Sequence, residues 1–459
     1  MDISGLNNKL IAVLGYGLEG QATAKYLLKH GIKPVLFDQR PWEEWSYDEQ
    51  NAIKKLGLNF IFGPDCFKEL EGFNIAFRSP GIKLSSLNLA HFVKKGLVIT
   101  SQTKWFFENS PGKIIGVTGT KGKGTTSALI YEMLKQRTSS TSNLEPRTYL
   151  TGNIGKAQPL DFIDDLKPND WIVYELSSFQ LQDLEQSPRI AVVLMVTSEH
   201  LNYHKDVEEY VEAKSNITKH QKPGGFAVIN ADFESSLAIG RQGKAKKLYF
   251  SRKKVEDADC YVQGSQIVAK DFRFPIANLQ LKGAHNLENI CAAVLAARCA
   301  RADFDAIKSA IINFKGLEHR LEFVAEKAGV KFYNDSFSTT PETAIAAIES
   351  FSEPLVIILG GSAKKADFTG LGKAINASKN IKAIILVGEE APKIKLSLGQ
   401  GYKGQIFEGA KNMPEIFTQI KSAASAGDVV LLSPACASFG MFKNYRDRGE
   451  QFKNEVLKF

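Results

Sequence analysis

Three observations predict an α/β protein. A short apolar run, a glycine-containing turn and an amphipathic stretch recur in each third of the chain, the pattern of βα units on a parallel sheet. Two glycine-rich turns, at 15–20 and 119–126, each stand between an apolar run and a helical stretch. The length, 459 residues, leaves room for three domains at roughly 150 residues each. The expected architecture is α/β with room for three domains and mostly parallel sheets.

In chain order, 10–14 reads as a strand, 21–30 as a helix and 33–37 as the next strand, ended by Asp38. The middle third opens with a strand at 113–118 and a helix at 127–135, and continues with strands at 171–174 and 191–196 and a helix at 207–220. The last third carries apolar runs at 355–359, 383–387 and 429–432, with helical stretches between them. Thr340 followed by Pro341 has the form of an N-cap with proline in the first helical position. The polar segment 137–147 reads as a surface loop, and no internal repeat is present.

Composition narrows the class. With 44% hydrophobic and 24% charged residues, the chain is globular rather than disordered or fibrous. No stretch approaches the ~20 apolar residues of a membrane span, and the N-terminus lacks a cationic, then apolar, leader. The five cysteines (Cys66, Cys260, Cys291, Cys299, Cys436) are scattered, without a CxxC pair, so neither a disulfide framework nor a zinc cluster is expected. A reducing, cytoplasmic location and no membrane insertion follow as expectations. The net charge of +8 is spread along the chain and is explained as well by an anionic small molecule as by nucleic acid.

The first turn, Gly15-Tyr16-Gly17-Leu18-Glu19-Gly20, opens a helix after a strand, with Asp38 further on. Glycines there let the backbone approach a pyrophosphate at a helix N-terminus. By itself it fits a nicotinamide cofactor, a structural tight turn or another nucleotide. The second turn, Gly119-Thr120-Lys121-Gly122-Lys123-Gly124-Thr125-Thr126, has the parts of a P-loop: backbone N–H groups for phosphates, Lys123 for the β/γ oxygens and a threonine hydroxyl for Mg²⁺. Val117 stands where the strict pattern has its first glycine, and Gly124 follows the lysine. A dehydrogenase has no use for the second turn, and a simple ATPase none for the first. ATP together with a nucleotide-tagged substrate uses both.

From the P-loop outward, the chain resembles the Mur ligase superfamily, ATP-dependent amide-forming enzymes. The series GYGLEG, SPGI at 79–82, GNIG around Asn153, ELSSFQL from Glu175, HNLENI from His285, GLEHR ending at Arg320, NDS from Asn334, GGSAKKADF around Lys364, SPACAS at 433–438 and FKNY ending at Tyr445 runs along nearly the whole chain. It is most similar to the branch that joins D-glutamate to UDP-N-acetylmuramoyl-L-alanine. The resemblance implies a Rossmann-like UDP-substrate domain over 1–110, a central P-loop ATP domain on a mostly parallel sheet over 111–316 and a Rossmann-like amino-acid domain over 317–459, with ATP and two Mg²⁺ as cofactors, no nucleic-acid partner and a monomer. It assigns the UDP-substrate to Gly15, Gly17, Ser79 and Gly81, with Leu18, Glu19, Gln39 and Arg40 at the uridine end and Asn153 on the sugar-peptide part. ATP would take the loop 119–126 (Gly119, Thr120, Lys121, Gly122, Lys123, Gly124, Thr125 and Thr126) with Asn286, Asn289, His319, Arg320 and Asp335. Metal would fall to Thr125, Glu175, His200 and a carbamylated Lys214, and catalysis to Lys123, His200 and Lys214. Thr339, Lys364, Ser438 and Tyr445 would hold the amino acid.

Without the resemblance, Glu175 reads as a polar strand end, His200 as a hydrogen-bonded loop histidine and Lys214, among Glu208, Glu209 and Glu212, as a solvated helix face. Cys436 reads as packing, since the chemistry uses no thiol. Against the family pattern, Lys121 replaces a common asparagine, Phe337 a common lysine and Tyr445 a common phenylalanine. The KGKGT loop is closer to folylpolyglutamate synthases, but those begin near their P-loop, and here a whole Rossmann-like segment precedes it. Gly124 leaves Thr125 as the expected Mg²⁺ hydroxyl, with Thr126 behind it.

Overall fold

The computed structural model describes every residue except Met1, 84–88, 137–145, 156, 198–202, 254–256, 280, 282 and 363–365. It contains three sheets. The first comprises β1 (Ile11–Leu14), β2 (Val35–Asp38), β3 (Phe60–Phe62), β4 (Ile75–Arg78) and β5 (Val98–Thr100), all parallel, in the order β3-β2-β1-β4-β5. All four residues of β1 are buried, because the strand sits mid-sheet between helical layers. The order reverses between β1 and β4, and Leu14 lies in register with Arg78 there. A ligand crevice is expected at such a switch point, outside the carboxyl ends of the strands.

The second sheet is built from β6 (Lys113–Thr118), β7 (Thr148–Gly152), β8 (Trp171–Glu175), β9 (Ile190–Val193), β10 (Phe226–Asn230), β11 (Lys246–Ser251), β12 (Cys260–Gln263), β13 (Gln266–Ala269) and β14 (Phe272–Pro275). Its order is β14-β13-β12-β11-β10-β9-β6-β8-β7, parallel from β7 through β12 and antiparallel over the last two pairings. β6 is an interior strand, which puts the glycine loop that follows it between the ends of β8 and β9. The third sheet, β15 (Glu322–Lys327), β16 (Val330–Asn334), β17 (Leu355–Gly360), β18 (Ile381–Val387), β19 (Gln405–Phe407) and β20 (Val429–Leu432), has the order β15-β16-β20-β17-β18-β19 and is parallel except for the β15–β16 pair.

The chain gathers into two compact units, 1–278 with 287–312, and 279–286 with 313–459. In the first unit a single apolar core joins the first two sheets. Helix Gln102–Asn109 supplies the joint: Trp105 packs against Phe77 at 5.5 Å, and Phe106 meets Tyr174 and Phe162, each at 5.9 Å, between ring centroids. In the second unit, separate apolar clusters cover the two faces of its sheet.

Element boundaries depart from the expected ones where glycine caps a helix. The helix expected over 21–30 runs Leu18–Lys29, because Gly17 caps it. The helix expected over 127–135 runs Lys123–Lys135 and is capped by Gly122 in the left-handed region, φ +85°. Glycine adopts that conformation without the Cβ clash other residues meet. The strand expected over 191–196 ends at Val193. Helix Pro341–Ile348 starts as expected, with Pro341 first after a Thr340 cap. The loop expected over 137–147 lies mostly outside the described residues. All five cysteines are free.

Candidate active site

At the first turn, Gly15 takes φ +83°, and a Cβ there would come within 3.0 Å of Ser79 Cβ and Ile82 Cδ1. The Ser79 hydroxyl donates to Gly15 O at 2.9 Å. A Cβ on Gly20 would overlap Gly15 O, so helix and strand approach as closely as glycine allows. Asp38 closes the far side, accepting from Tyr16 N at 2.7 Å and Arg40 N at 2.8 Å. It thereby orders the turn rather than presenting a free carboxylate. The Arg40 guanidinium lies 3.2 Å from the centre of the Trp45 ring and pairs with Glu49. Leu18, Gln39, Gly81 and Asn153 are exposed and Gly17 caps the helix. Glu19 turns the other way: its carboxyl accepts from Gln180 Nε2 at 2.7 Å, and burial pushes it up to about 7.

At the P-loop, the N-terminus of helix Lys123–Lys135 brings Lys123, Gly124, Thr125 and Thr126 into its first turn, and the dipole at a helix start favours anions. Thr120 is an anchor: its hydroxyl accepts from Thr197 N at 2.9 Å and meets Thr197 O and Tyr210 Oη at 3.1 and 3.0 Å. Lys123 folds over the loop and donates to Gly119 O at 2.8 Å and Thr120 O at 3.0 Å. Thr126 Oγ1 lies 3.3 Å from Asn289 Oδ1, and a Cβ on Gly122 would overlap that same oxygen. Asn289, on helix Ala284–Cys299, therefore buttresses the loop, and Asn286 is buried near the start of that helix. Thr125 is buried in the first turn of the helix, while Lys121 is exposed.

Lys214 is buried, not solvated. Helix Val207–Lys219, capped by the Asp206 carboxylate, carries its ammonium onto Gly119 O at 3.1 Å and Thr118 Oγ1 at 3.3 Å, 4.6 Å from the Tyr210 ring centre. Two ammonium groups, from Lys123 and Lys214, thus converge on one carbonyl oxygen. Glu175 ends β8 beside Val117 of β6 and is also buried. Glu175 and Thr125 are oxygen donors of the kind Mg²⁺ takes, and an ammonium is not a ligand until it is converted. Among the described residues, no three His, Cys, Asp or Glu side chains gather into a metal site. His200 and Lys364 lie outside the described residues.

In the second unit, His319, Arg320 and Asp335 meet near the start of helix Tyr445–Lys458. His319 contacts Asn334 Nδ2 at 2.9 Å and the Tyr445 ring edge-on at 6.0 Å; burial lowers its basicity. Asp335 accepts from Ser433 Oγ at 2.7 Å and Leu321 N at 3.1 Å, and burial pushes its carboxyl up to about 7. The Arg320 guanidinium sits 4.6 Å from the centre of the Phe337 ring, which itself meets Tyr445 edge-on at 5.0 Å. Arg448 is buried and fastens the loops after β16 and β20, donating to Ser336 Oγ and O and to Cys436 O. Thr339 is half-buried on the first of these loops and Ser438 buried on the second. Burial pushes the Cys436 thiol up to about 12, as fits packing rather than nucleophilic work.

Sequence reading passed over Arg78, Asp183, Tyr210 and Arg448, although each touches a residue or loop it named. For Arg78 the available signal was a charged residue closing the apolar run 75–77.

A glycine loop that folds a lysine over itself, on a mostly parallel sheet sharing a core with the sheet of a second glycine turn, fits a nucleotide-dependent ligase. A family model for the Mur ligase middle domain matches residues 117–297, and one for the Mur ligase, glutamate ligase domain matches residues 319–436. The chain belongs to the Mur ligase family, among the UDP-N-acetylmuramoylalanine–D-glutamate ligases. The ligase of that name from Clostridium perfringens is 35% identical over 464 residues, covering 98% of this chain and 97% of the relative. That from Acetivibrio thermocellus is 36% identical over 463 residues, with the same two coverages, 98% and 97%. Among solved structures, UDP-N-acetylmuramate-alanine ligase MurC from Thermotoga maritima shares the fold with a TM-score of 0.61 at 16% identity, covering 98% of this chain and 100% of that one. MurF from Acinetobacter baumannii does so with a TM-score of 0.60 at 17% identity, covering 100% and 93%.

Proposed function

We propose that the chain joins D-glutamate to UDP-N-acetylmuramoyl-L-alanine through an amide bond, consuming ATP and yielding ADP and phosphate, in peptidoglycan precursor synthesis. The observation that carries this reading is the convergence of Lys123 and Lys214 on Gly119 O at the P-loop, beside Glu175. The full-length similarity to D-glutamate ligases supports the choice of substrates. We take 1–110, 111–316 and 317–459 as the domains for UDP-substrate, ATP and amino acid, in a cytoplasmic monomer. No helix among the described residues is long and apolar enough to cross a membrane.

A carboxylate is a poor electrophile, so the reaction first moves the γ-phosphoryl of ATP onto the terminal alanine carboxylate. The carboxylate oxygen attacks phosphorus, the bond to ADP breaks, and an acyl phosphate results. Lys123, released from its loop carbonyls, would follow the γ-phosphoryl oxygens, and the N–H groups at the start of its helix would hold the others. Thr125, Glu175, His200 and a carbamylated Lys214 would hold two Mg²⁺, which when bound spread the negative charge of the phosphates. The D-glutamate amine then attacks the acyl carbon, and phosphate leaves. Lys364, Thr339, Ser438 and Tyr445 would hold the glutamate, with Lys364 on a carboxylate.

The test is phosphate release from ATP and Mg²⁺ across a panel of acceptors and amino acids. Release is expected only when UDP-N-acetylmuramoyl-L-alanine and D-glutamate are both present. Release with a folate and L-glutamate instead would overturn the reading in favour of the loop's other likeness.

A further inference from the structure

We propose that Arg78 is a positioning residue for the ligation, clasping the loop 79–82 beside the first glycine turn to Asp183, on the segment that begins at Glu175. The inference rests on the proposed function, because it assigns the two ends of the clasp to the UDP-substrate and to the phosphoryl-transfer centre.

Arg78 ends β4 at the switch point of the first sheet, and its side chain is 0% exposed. Its guanidinium faces two ways. One terminal nitrogen donates to Ile82 O at 2.7 Å, holding the loop that flanks Gly15, and the other donates to Asp183 Oδ2 at 2.9 Å. The loop is in turn pinned to the glycine turn by Ser79, through its hydroxyl to Gly15 O and its N–H to Leu14 O, both at 2.9 Å. On the other side, Asp183 stands just beyond helix Ser178–Leu181, which follows Glu175 without a break in the described chain.

Two further contacts run parallel to the clasp. Gln180 donates to Glu19 on the first-turn helix at 2.7 Å, and the Tyr203 hydroxyl donates to Pro80 O at 3.1 Å while its ring packs on Phe179 at 4.1 Å. Three motifs read separately from the sequence, GYGLEG, SPGI and ELSSFQL, are thus joined through side chains.

Stability alone does not explain the arrangement. Arg78 Nε, Asp183 Oδ1 and Glu19 Oε2 are buried without a hydrogen-bond partner among the described residues. A buried ion pair contributes little net stability against apolar residues of the same size, and a partly satisfied network contributes less. What a rigid, forked guanidinium does supply is fixed geometry between two groups. Lysine, a single point charge, cannot make both contacts in opposite directions.

The experiment is steady-state kinetics on the full chain with Arg78→Met, Arg78→Lys and Asp183→Asn. Arg78→Met is expected to raise KM for the UDP-substrate at least about tenfold and to lower kcat, with KM for ATP and for D-glutamate within about twofold of wild type. Arg78→Lys should recover less than half of the lost kcat/KM. Asp183→Asn should show the same split in milder form, and carries the test if Arg78→Met does not fold. Unchanged kinetics, or a parallel rise of all three KM values, overturns the proposal. If wild type itself does not ligate these substrates, the functional reading has failed separately. The clasp is then read by hydrogen exchange, where Asp183→Asn should speed exchange of the Gly15 and Ser79 amides but not of Gly360; unchanged exchange at both overturns it.

Discussion

Gly122 is the smallest residue with a large assignment. It caps the P-loop helix at φ +85° and faces the Asn289 side chain, so an added Cβ is opposed by both backbone and neighbour. Gly122→Ala is expected to lose about 2 kcal/mol of stability from the left-handed backbone together with the overlap. It should also raise KM for ATP at least about fivefold; urea unfolding and initial rates check the two effects. Asp335 carries a different prediction. Its carboxyl is pushed up to about 7 in the native protein, against an ordinary 3.8, by burial. Between those values the native state holds a proton that the unfolded chain has released, so this group makes stability fall as pH rises, and the fall ends above about pH 7. Asp335→Asn removes that slope while keeping an oxygen for Ser433 and Leu321. Relative to wild type, the ligand-free variant should gain up to about 1.4 kcal/mol per pH unit between pH 5 and pH 7, then level off. Denaturant unfolding across that range measures it. At this scale the sequence was legible where a residue's setting follows from its type and position, as for Lys123, which stands at the helix start in its glycine loop. It was not legible for Lys214, whose acidic neighbours in sequence suggest a wet helix face, because burial is decided by the opposite face of the helix packing onto β6.

Helices place the chemistry more than loops do. Helix Val207–Lys219 holds Lys214 against the start of the P-loop and Tyr210 against Thr120, and its N-terminus is fixed by Asp206 Oδ1 accepting from Glu209 N at 2.8 Å. Asp206→Ala should weaken this helix by about 1 kcal/mol. Because the cap lies two turns from Lys214, kcat should fall several-fold while KM for the UDP-substrate changes little, as steady-state rates would reveal. Most elements were readable from apolar runs and their punctuation: the strand at 113–118 and that at 429–432 match β6 and β20 residue for residue. Errors gathered at helix starts after glycine, at 18 and at 123, since a glycine without a capping side chain gives no sign of where the first turn begins. The antiparallel β12–β14 edge was also unread, because short strands of alternating burial such as Phe272–Pro275 carry too few apolar residues to stand out from loops.

At the scale of the molecule, the two glycine turns sit on different sheets, each at the carboxyl end of an interior strand. The seats proposed for the two nucleotides, on separate sheets, predict separable defects. Lys123→Ala should abolish phosphate release while leaving the Kd for the UDP-substrate within about twofold, as titration calorimetry would show. The α/β class and the parallel sheets were open to sequence reading because βα repetition is a pattern of period and punctuation. The common core of the first two sheets was not, since nothing in the order of residues tells Trp105 and Phe106 which sheet they will touch.

That common core, with the interior place of β6, also bears on synthesis. The first sheet has all its strands once Thr100 has been made, whereas β6 must wait for β8 and β9 before either flank is paired. On the ribosome, an N-terminal domain would form early with one apolar wall still bare. The phosphate loop would take shape only after a long stretch of later chain had emerged, leaving the nascent protein exposed to chaperones and proteases along the surface that later becomes its interior.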